Sequence, residues 1–379
     1  MKKLFYTGLI LLGLFEILNV YFIMPMPGSQ RMESIDVAYF LYSYRWVFRS
    51  CFILMMVFGA YSALRVGKKW VPVLAILPVL GIVYLFNFRM TADHMFLQPR
   101  TLIFASRADN ILNDSSIVIS VTDGYESKAY PVRYIQYHHQ VRDSIAGKPI
   151  MVTYCNVCRT GRVFQPLVDG KPENFRLVGM DHFNAMFEDE TTKSWWRQAT
   201  GEAVTGTLKG KTLTEIHSDQ LTLSKFFSIH PFGKVMLAEQ DSKESYDTLG
   251  RFEKGLGKSD LTRTDSLSWK EKSWVLGVVV DGKSKAYDWN LLKQLKVIND
   301  KVGETNIVVV LASDEQSFVV FKRDGTDNVS LRNDSLINVN QAYDFAGRSA
   351  QGSKLQKIKA YQEFWHSWKQ FHPDTEIYK

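Results

Sequence analysis

Two of the three cysteines in this 379-residue chain, Cys155 and Cys158, stand three apart in the stretch IMVTYCNVCRTGRVF. Thiols at that spacing suit three kinds of chemistry: half of a tetrahedral metal site, a reversible disulfide, or a nucleophile of lowered pKa. Arg159 follows directly and offers a positive charge to a thiolate or an anionic substrate. Upstream lie His138 and His139, and downstream His182 in the run VGMDHF. Neutral imidazoles and thiolates together bind Zn, Cu or Fe, and an approach by Met180 or Met186 would favour Cu(I). A second group combines Asp181 with Trp195, Trp196 and Arg197. Paired indoles beside an arginine either wall a pocket for a small ligand or form a corner of a core.

The elements that must position the cysteines read as two strands. Ile150, Val152 and Tyr154 alternate before Cys155, and Arg162-Val163-Phe164 resumes an extended pattern after Gly161, so the pair sits at a turn between them. A thioredoxin-type pair instead opens a helix, which Arg159-Thr160-Gly161 and the following β-like run disfavour. No Walker loop, no GxGxxG after a strand, no GxSxG elbow and no HExxH occurs.

With 46% hydrophobic and 13% aromatic residues, the chain is long enough for two packed units. The formal charge of +7 is spread along it without a basic run, which argues against nucleic acid as a partner. Apolar runs at Leu4 to Met24, Trp46 to Leu64 and Trp70 to Phe88 each have the length of a bilayer span. No cleavage site follows the first, so it is expected to remain as a helix. Lys2 and Lys3, and Arg65, Lys68 and Lys69 between the second and third runs, place those ends in the cytoplasm. An odd number of spans then puts the rest in the periplasm or outside the cell, anchored to the inner membrane and its lipid. Cys51 lies within the second run as a small apolar residue. Arg45 and Arg49 enter that run from its other end, where they snorkel or pair with Glu16.

Beyond Ile117 the pattern changes to short β-like segments and repeats itself. DGYESKAYP at Asp123 is echoed by DGKSKAYDW at Asp281, and Phe226 with His230-Pro231 by Trp368 with His372-Pro373. A shared offset of 157, from Ser127 to Ser284, maps Cys155 to Ala312, Cys158 to Glu315 and Arg159 to Gln316, so only the first copy keeps the thiols. The expected fold class is α+β: an N-terminal three-helix membrane anchor followed by a β-rich soluble region built from a tandem duplication. Its boundaries read as 1–92 for the anchor, 93–240 for the first copy, 241–271 for a polar linker and 272–379 for a second, degenerate copy. The SKAY segments and His-Pro helix ends, present in both copies, read as packing.

VTYCNVCRTGRVF, the block GMDHFNAMFEDETTKSWWRQATGEAVTG and the His230-Pro231 helix end together resemble the DUF3179 family of bacterial and archaeal proteins. The family positions are Thr153, Tyr154, Cys155, Cys158, Asp189, Thr192, Ser194, Trp196, Gly201 and Gly206. Asn156 stands where many members carry proline, and Arg159 where a small residue is common, which implies a differently tuned turn. The resemblance implies a domain and transfers no reaction. The expectation from the residues is a membrane-anchored protein that binds Zn or Cu or performs thiol redox chemistry at Cys155 and Cys158. Two alternatives stand beside it: a cysteine-nucleophile or thiol-disulfide enzyme with His138 or His139 as base, and a binding or assembly protein with a structural disulfide.

Overall fold

A computed structural model of the chain describes residues 1–325, 327–338 and 341–379. Three helices, Lys2–Tyr21, Arg45–Arg65 and Trp70–Arg89, are long and apolar enough to cross a membrane. They coincide with the three apolar runs of the sequence. The third contains Pro78, which removes an intrahelical donor, and ends in a π-helical turn at Leu85–Arg89. The first two pack closely because Gly59 lacks a side chain: a Cβ there would lie 2.4 Å from the Phe5 backbone nitrogen. Among them Glu16 receives a bidentate pair of hydrogen bonds from Arg49, each 2.7 Å, and a third from Asn87 at 2.8 Å. Arg49 is thus the partner expected for Glu16; Arg45 instead donates to the Tyr42 carbonyl.

The chain forms two compact units. The first comprises these helices together with residues 173–197 and 202–212. Its antiparallel sheet runs in the order Ala203–Thr205, Trp195–Arg197, Asn184–Asp189, Phe175–Asp181. Val178, Met186, Trp195 and Val204 from the sheet share a core with Val20, Ile23, Met24 and Ala38 from the helical segment. The unit therefore cuts across the boundary expected near residue 92, because the apolar face of this sheet is buried against the N-terminal segment.

The second unit holds residues 98–172, 198–201 and 213–379. In it one run of elements occurs twice. The first run is the hairpin Ile117–Asp123 with Glu126–Pro131, the helix Val132–His138, and the strands Gln140–Ile145, Lys148–Cys155 and Thr160–Phe164. The second is Trp274–Val280, Lys283–Asp288, the helix Trp289–Leu295, and the strands Val297–Val302, Thr305–Leu311 and Phe318–Lys322. Each hairpin is flanked by a further antiparallel strand that leads into a seven-residue helix ending at His230 or His372. Side chains repeat as well: Tyr130 donates to Asp143 at 2.7 Å and Tyr287 to Asp300 at 2.8 Å, with Lys128 and Lys285 on the same carboxylates.

The segment 241–271, expected as a linker, is packed at its start through Ser242, Tyr246 and Phe252, while residues 253–271 are half-buried or exposed. Helix Lys243–Leu249 brings Tyr246 into the core of the first run, where Phe252 joins it among Tyr134, Ile135 and Tyr154. A separate core brings the two runs together through Leu223, Phe226 and Val235 on one side and Val308, Val319 and Phe321 on the other. Apolar alternation along each strand produces these cores, since side chains of one strand face the sheet's two sides in turn.

Candidate functional site

Cys155 ends one strand and pairs with Thr160 at the start of the next, so residues 156–159 form the expected turn. Arg159 closes it in the left-handed region, φ +57°. Both cysteines are free thiols with 0% exposure. The two sulfurs are hydrogen-bonding neighbours, with the Ser367 hydroxyl beside Cys158. Burial, reinforced by Cys155, pushes the Cys158 thiol well above its ordinary pKa, the opposite of what activates a nucleophile.

Arg159 does not act on these sulfurs as expected. Its guanidinium lies 3.7 Å from the Trp274 ring centroid and donates to Gln362 Oε1 and to the carbonyls of Phe252 and Glu253. It ties the turn to neighbouring backbone. His138 Nε2 is 2.5 Å from the Tyr246 hydroxyl, and His139 caps its helix at φ +61° with Nδ1 3.3 Å from the Tyr137 carbonyl. Burial lowers the His139 pKa to about 4, so the ring is neutral. His182 belongs to the first unit, between Asp181 at 2.6 Å and Glu33 at 3.3 Å. Among the described residues no three of His, Cys, Asp and Glu converge as a metal site. The donor set expected for Zn or Cu therefore does not assemble here.

The second predicted group is built from the first unit and is internally satisfied. Trp195 and Trp196 are buried, and their indole N–H groups donate to Glu188 and Asp189, each at 2.9 Å. Arg197 Nε donates to Asp181 at 2.9 Å. The indoles form a core corner rather than the walls of an open pocket, because each N–H finds a buried carboxylate within the same sheet.

The cysteine hairpin is nevertheless anchored. Phe364 N–H donates to the Cys158 carbonyl at 2.9 Å, and Arg162 Nη2 meets Glu363 Oε1 at 2.8 Å with both side chains almost fully buried. Thr160 donates to the same carboxylate oxygen. The hairpin of the first run is thus held by the strand and helix that close the second.

What is open lies elsewhere in this unit. A cleft of about 370 Å³ is lined by Ser127, Asp219, His230, Arg348, Lys354 and Lys357, with fully exposed Tyr125 and Phe232 on its border. Lys357 meets Asp219 at 2.5 Å, and His217 lies 3.2 Å from the same carboxylate. Burial opposes the Asp219 charge, but Lys357 and His217 outweigh it and hold the carboxyl well below the usual range. His230 Nδ1 is 3.0 Å from Ser127 Oγ, and burial lowers its pKa to about 4. Lys354 has no acidic partner among the described residues. The sequence did carry a signal for this cleft: Ser127 lies in the SKAY segment and His230 in the His-Pro helix end. Both read as packing because both recur.

The sequence model of a family described as "Protein of unknown function (DUF3179)" matches residues 98–375. The chain belongs to the DUF3179 family. No curated protein matches it, and no solved structure does. The DUF3179 pattern acquires a physical meaning in the first unit. Asp189 accepts from the Thr192 N–H and hydroxyl, the Ser194 N–H and the Trp196 indole, so these four motif positions form one carboxylate-centred loop. Gly206, at φ +96°, seals it: a Cβ there would lie 2.6 Å from Ser194 Oγ. In the second unit Thr153 donates to the Arg162 carbonyl and accepts from Gln198. Of the motif positions in the second unit, none of Thr153, Tyr154, Cys155, Cys158 and Gly201 lines the cleft, whereas the His230-Pro231 helix end does.

Proposed function

We propose that this DUF3179 protein is a membrane-anchored binding protein whose folded part faces the periplasm or cell exterior. Its ligand is a small molecule carrying a carboxylate or phosphate, held in the cleft between Arg348, Lys354 and Lys357. The observation that carries the reading is that the cation-lined cleft is open whereas the thiol pair is sealed from solvent. Lys354 offers an uncompensated charge, and the exposed rings of Tyr125 and Phe232 offer apolar or stacking surface to the rest of the ligand. Cys155 and Cys158 then serve as a buried structural pair. The raised pKa of Cys158 and the missing third donor weigh against the nucleophilic and metal readings.

Three apolar helices and the Lys/Arg placement at their ends support the anchor and its orientation. The recurring order of strands, helices and Tyr-Asp-Lys clusters supports a tandem duplication as the origin of the second unit. The test is a thermal-shift screen of the full chain in detergent against small carboxylates and phosphate esters. A saturable ligand is expected, lost in Lys354→Ala with Lys357→Ala and retained in Cys155→Ala with Cys158→Ala. Finding no ligand in such a panel, or a ligand lost only with the cysteines, rejects the reading.

A further inference from the structure

A second polar recess lies in the first unit, where the candidate spans end. It measures about 260 Å³, and its lining includes the apolar Val20, Ile23 and Phe86 together with the polar Asn19, Arg45 and Asp93. Glu16 meets Arg49 and Asn87 while Gly59 meets Phe5, so the C-terminal ends of Lys2–Tyr21 and Trp70–Arg89 and the N-terminal end of Arg45–Arg65 lie together. Tyr44, Trp46, Tyr84 and Phe88 are exposed at these ends, as aromatic residues at a membrane interface are.

Two features of the recess point to a ligand. Asn19 is 93% buried, and its Oδ1, an acceptor, has no hydrogen-bond partner. A buried unsatisfied acceptor costs roughly 1–3 kcal/mol, so the recess favours an incoming N–H or O–H. Arg45 has its Nη1 on the Tyr42 carbonyl and its guanidinium 4.0 Å from the Tyr42 ring centroid, with no carboxylate partner among the described residues. Arg176, by contrast, is neutralised by Glu188 and Asp93. Among the described residues, the recess thus offers a cation without a carboxylate partner, an orphan acceptor and apolar lining.

We propose that this recess seats the headgroup of a membrane glycerophospholipid that carries a hydrogen-bond donor, as phosphoethanolamine and phosphoglycerol do. The phosphate meets Arg45, the ammonium or hydroxyl donates to Asn19 Oδ1, and an acyl chain follows Val20, Ile23 and Phe86 toward the bilayer. The proposal rests on the membrane reading of the three helices. It is independent of the cleft in the second unit.

The full chain, extracted in mild detergent, is incubated with phosphatidylethanolamine, phosphatidylglycerol or phosphatidylcholine, and bound lipid is counted by native mass spectrometry. Retention of the first two is expected to exceed that of phosphatidylcholine, which lacks a headgroup donor, by at least tenfold. Arg45→Gln should abolish the retention and Asn19→Leu the headgroup preference, in variants whose melting temperature shows them folded. Glycerophosphoethanolamine, which has no acyl chains, should not compete; equal competition would overturn the lipid as source in favour of a free phosphoester. Equal retention of all three lipids, or retention unchanged in Arg45→Gln, overturns the proposal. Recovery of the chain from cells without detergent would instead overturn the membrane reading beneath it.

Discussion

The turn at Cys155–Thr160 and the turn at Ala312–Ser317 occupy the same place in the two runs of the second unit, yet they are held by different physics. In both, the flanking residues pair across four intervening ones, and each turn docks on the opposite run just before its final helix. Phe364 N–H donates to the Cys158 carbonyl, and Thr222 N–H donates to Ser317 Oγ at 2.8 Å. The first turn fills its space with two sulfurs and a buried Arg162–Glu363 pair. The second uses Asp314, which accepts from the backbone of Gln316 and Ser317 and from the Thr222 hydroxyl, while Glu315 is exposed and paired with Lys296. Even the left-handed residue differs: Arg159 in one, Glu315 in the other. The docking is common to both, and the thiols are one of two ways to achieve it.

That comparison breaks most easily at the buried charges. Arg162→Ala leaves Glu363 without its cation and should cost about 3–5 kcal/mol, read from denaturant unfolding. A loss below about 1 kcal/mol would mean that the first turn does not depend on this pair. The sulfurs come next. Cys155→Ser with Cys158→Ser places hydroxyls in a sealed site and should cost on the order of 1–3 kcal/mol per poorly bonded group. The alanine pair should cost less, and the metal content of the purified chain should be the same in all three. One equivalent of soft metal lost with the serines would restore the metal reading.

On the opposite turn, Asp314→Ala removes an Asx-type carboxylate and should destabilise by about 1–2 kcal/mol, without affecting the reactivity of Cys155 or Cys158 toward alkylating agents. If the thiols become accessible to alkylation, the two docking contacts are coupled and the turns do not act separately.

The smallest effect concerns acid. His139, His230 and His372 are each lowered to about 4 by burial. The unfolded chain takes up protons at these rings near pH 6.5 and the folded chain only near 4. Their stabilising share is therefore complete above about pH 6.5 and is lost as pH falls toward 4. His230 and His372 correspond, but the position of His139 is taken by Lys296 in the other run, so the histidines give the first run the larger acid sensitivity. His139→Asn, which keeps a residue tolerant of φ +61°, should flatten the decline of melting temperature between pH 6.5 and 4. An unchanged profile would remove His139 from that account.

Much of the architecture was readable from the chain. Three apolar runs gave three helices because a run of that length has few other ways to be stable. The alternation around Ile150 and Val163 gave two strands and a turn, because side chains of a strand face opposite sides in turn. The echo of SKAY and His-Pro anticipated the two runs. The candidate site was less legible. Residue type marked Cys155, Cys158, His138, His139 and His182 as ligands, and type says nothing of direction or distance.

The amino-acid order alone determined which segments are apolar, which residues alternate and which motifs recur, since these depend on local chemistry and spacing. Only the tertiary structure decided that the sulfurs are sealed, that the polar segment after residue 240 sends Tyr246 to His138, and that Ser127, His230 and Lys354 meet at a cleft. Those outcomes depend on which surfaces pack together far apart in the chain. Burial and convergence are properties of the packed molecule, and they set whether a thiol, an imidazole or an ammonium is available to a ligand.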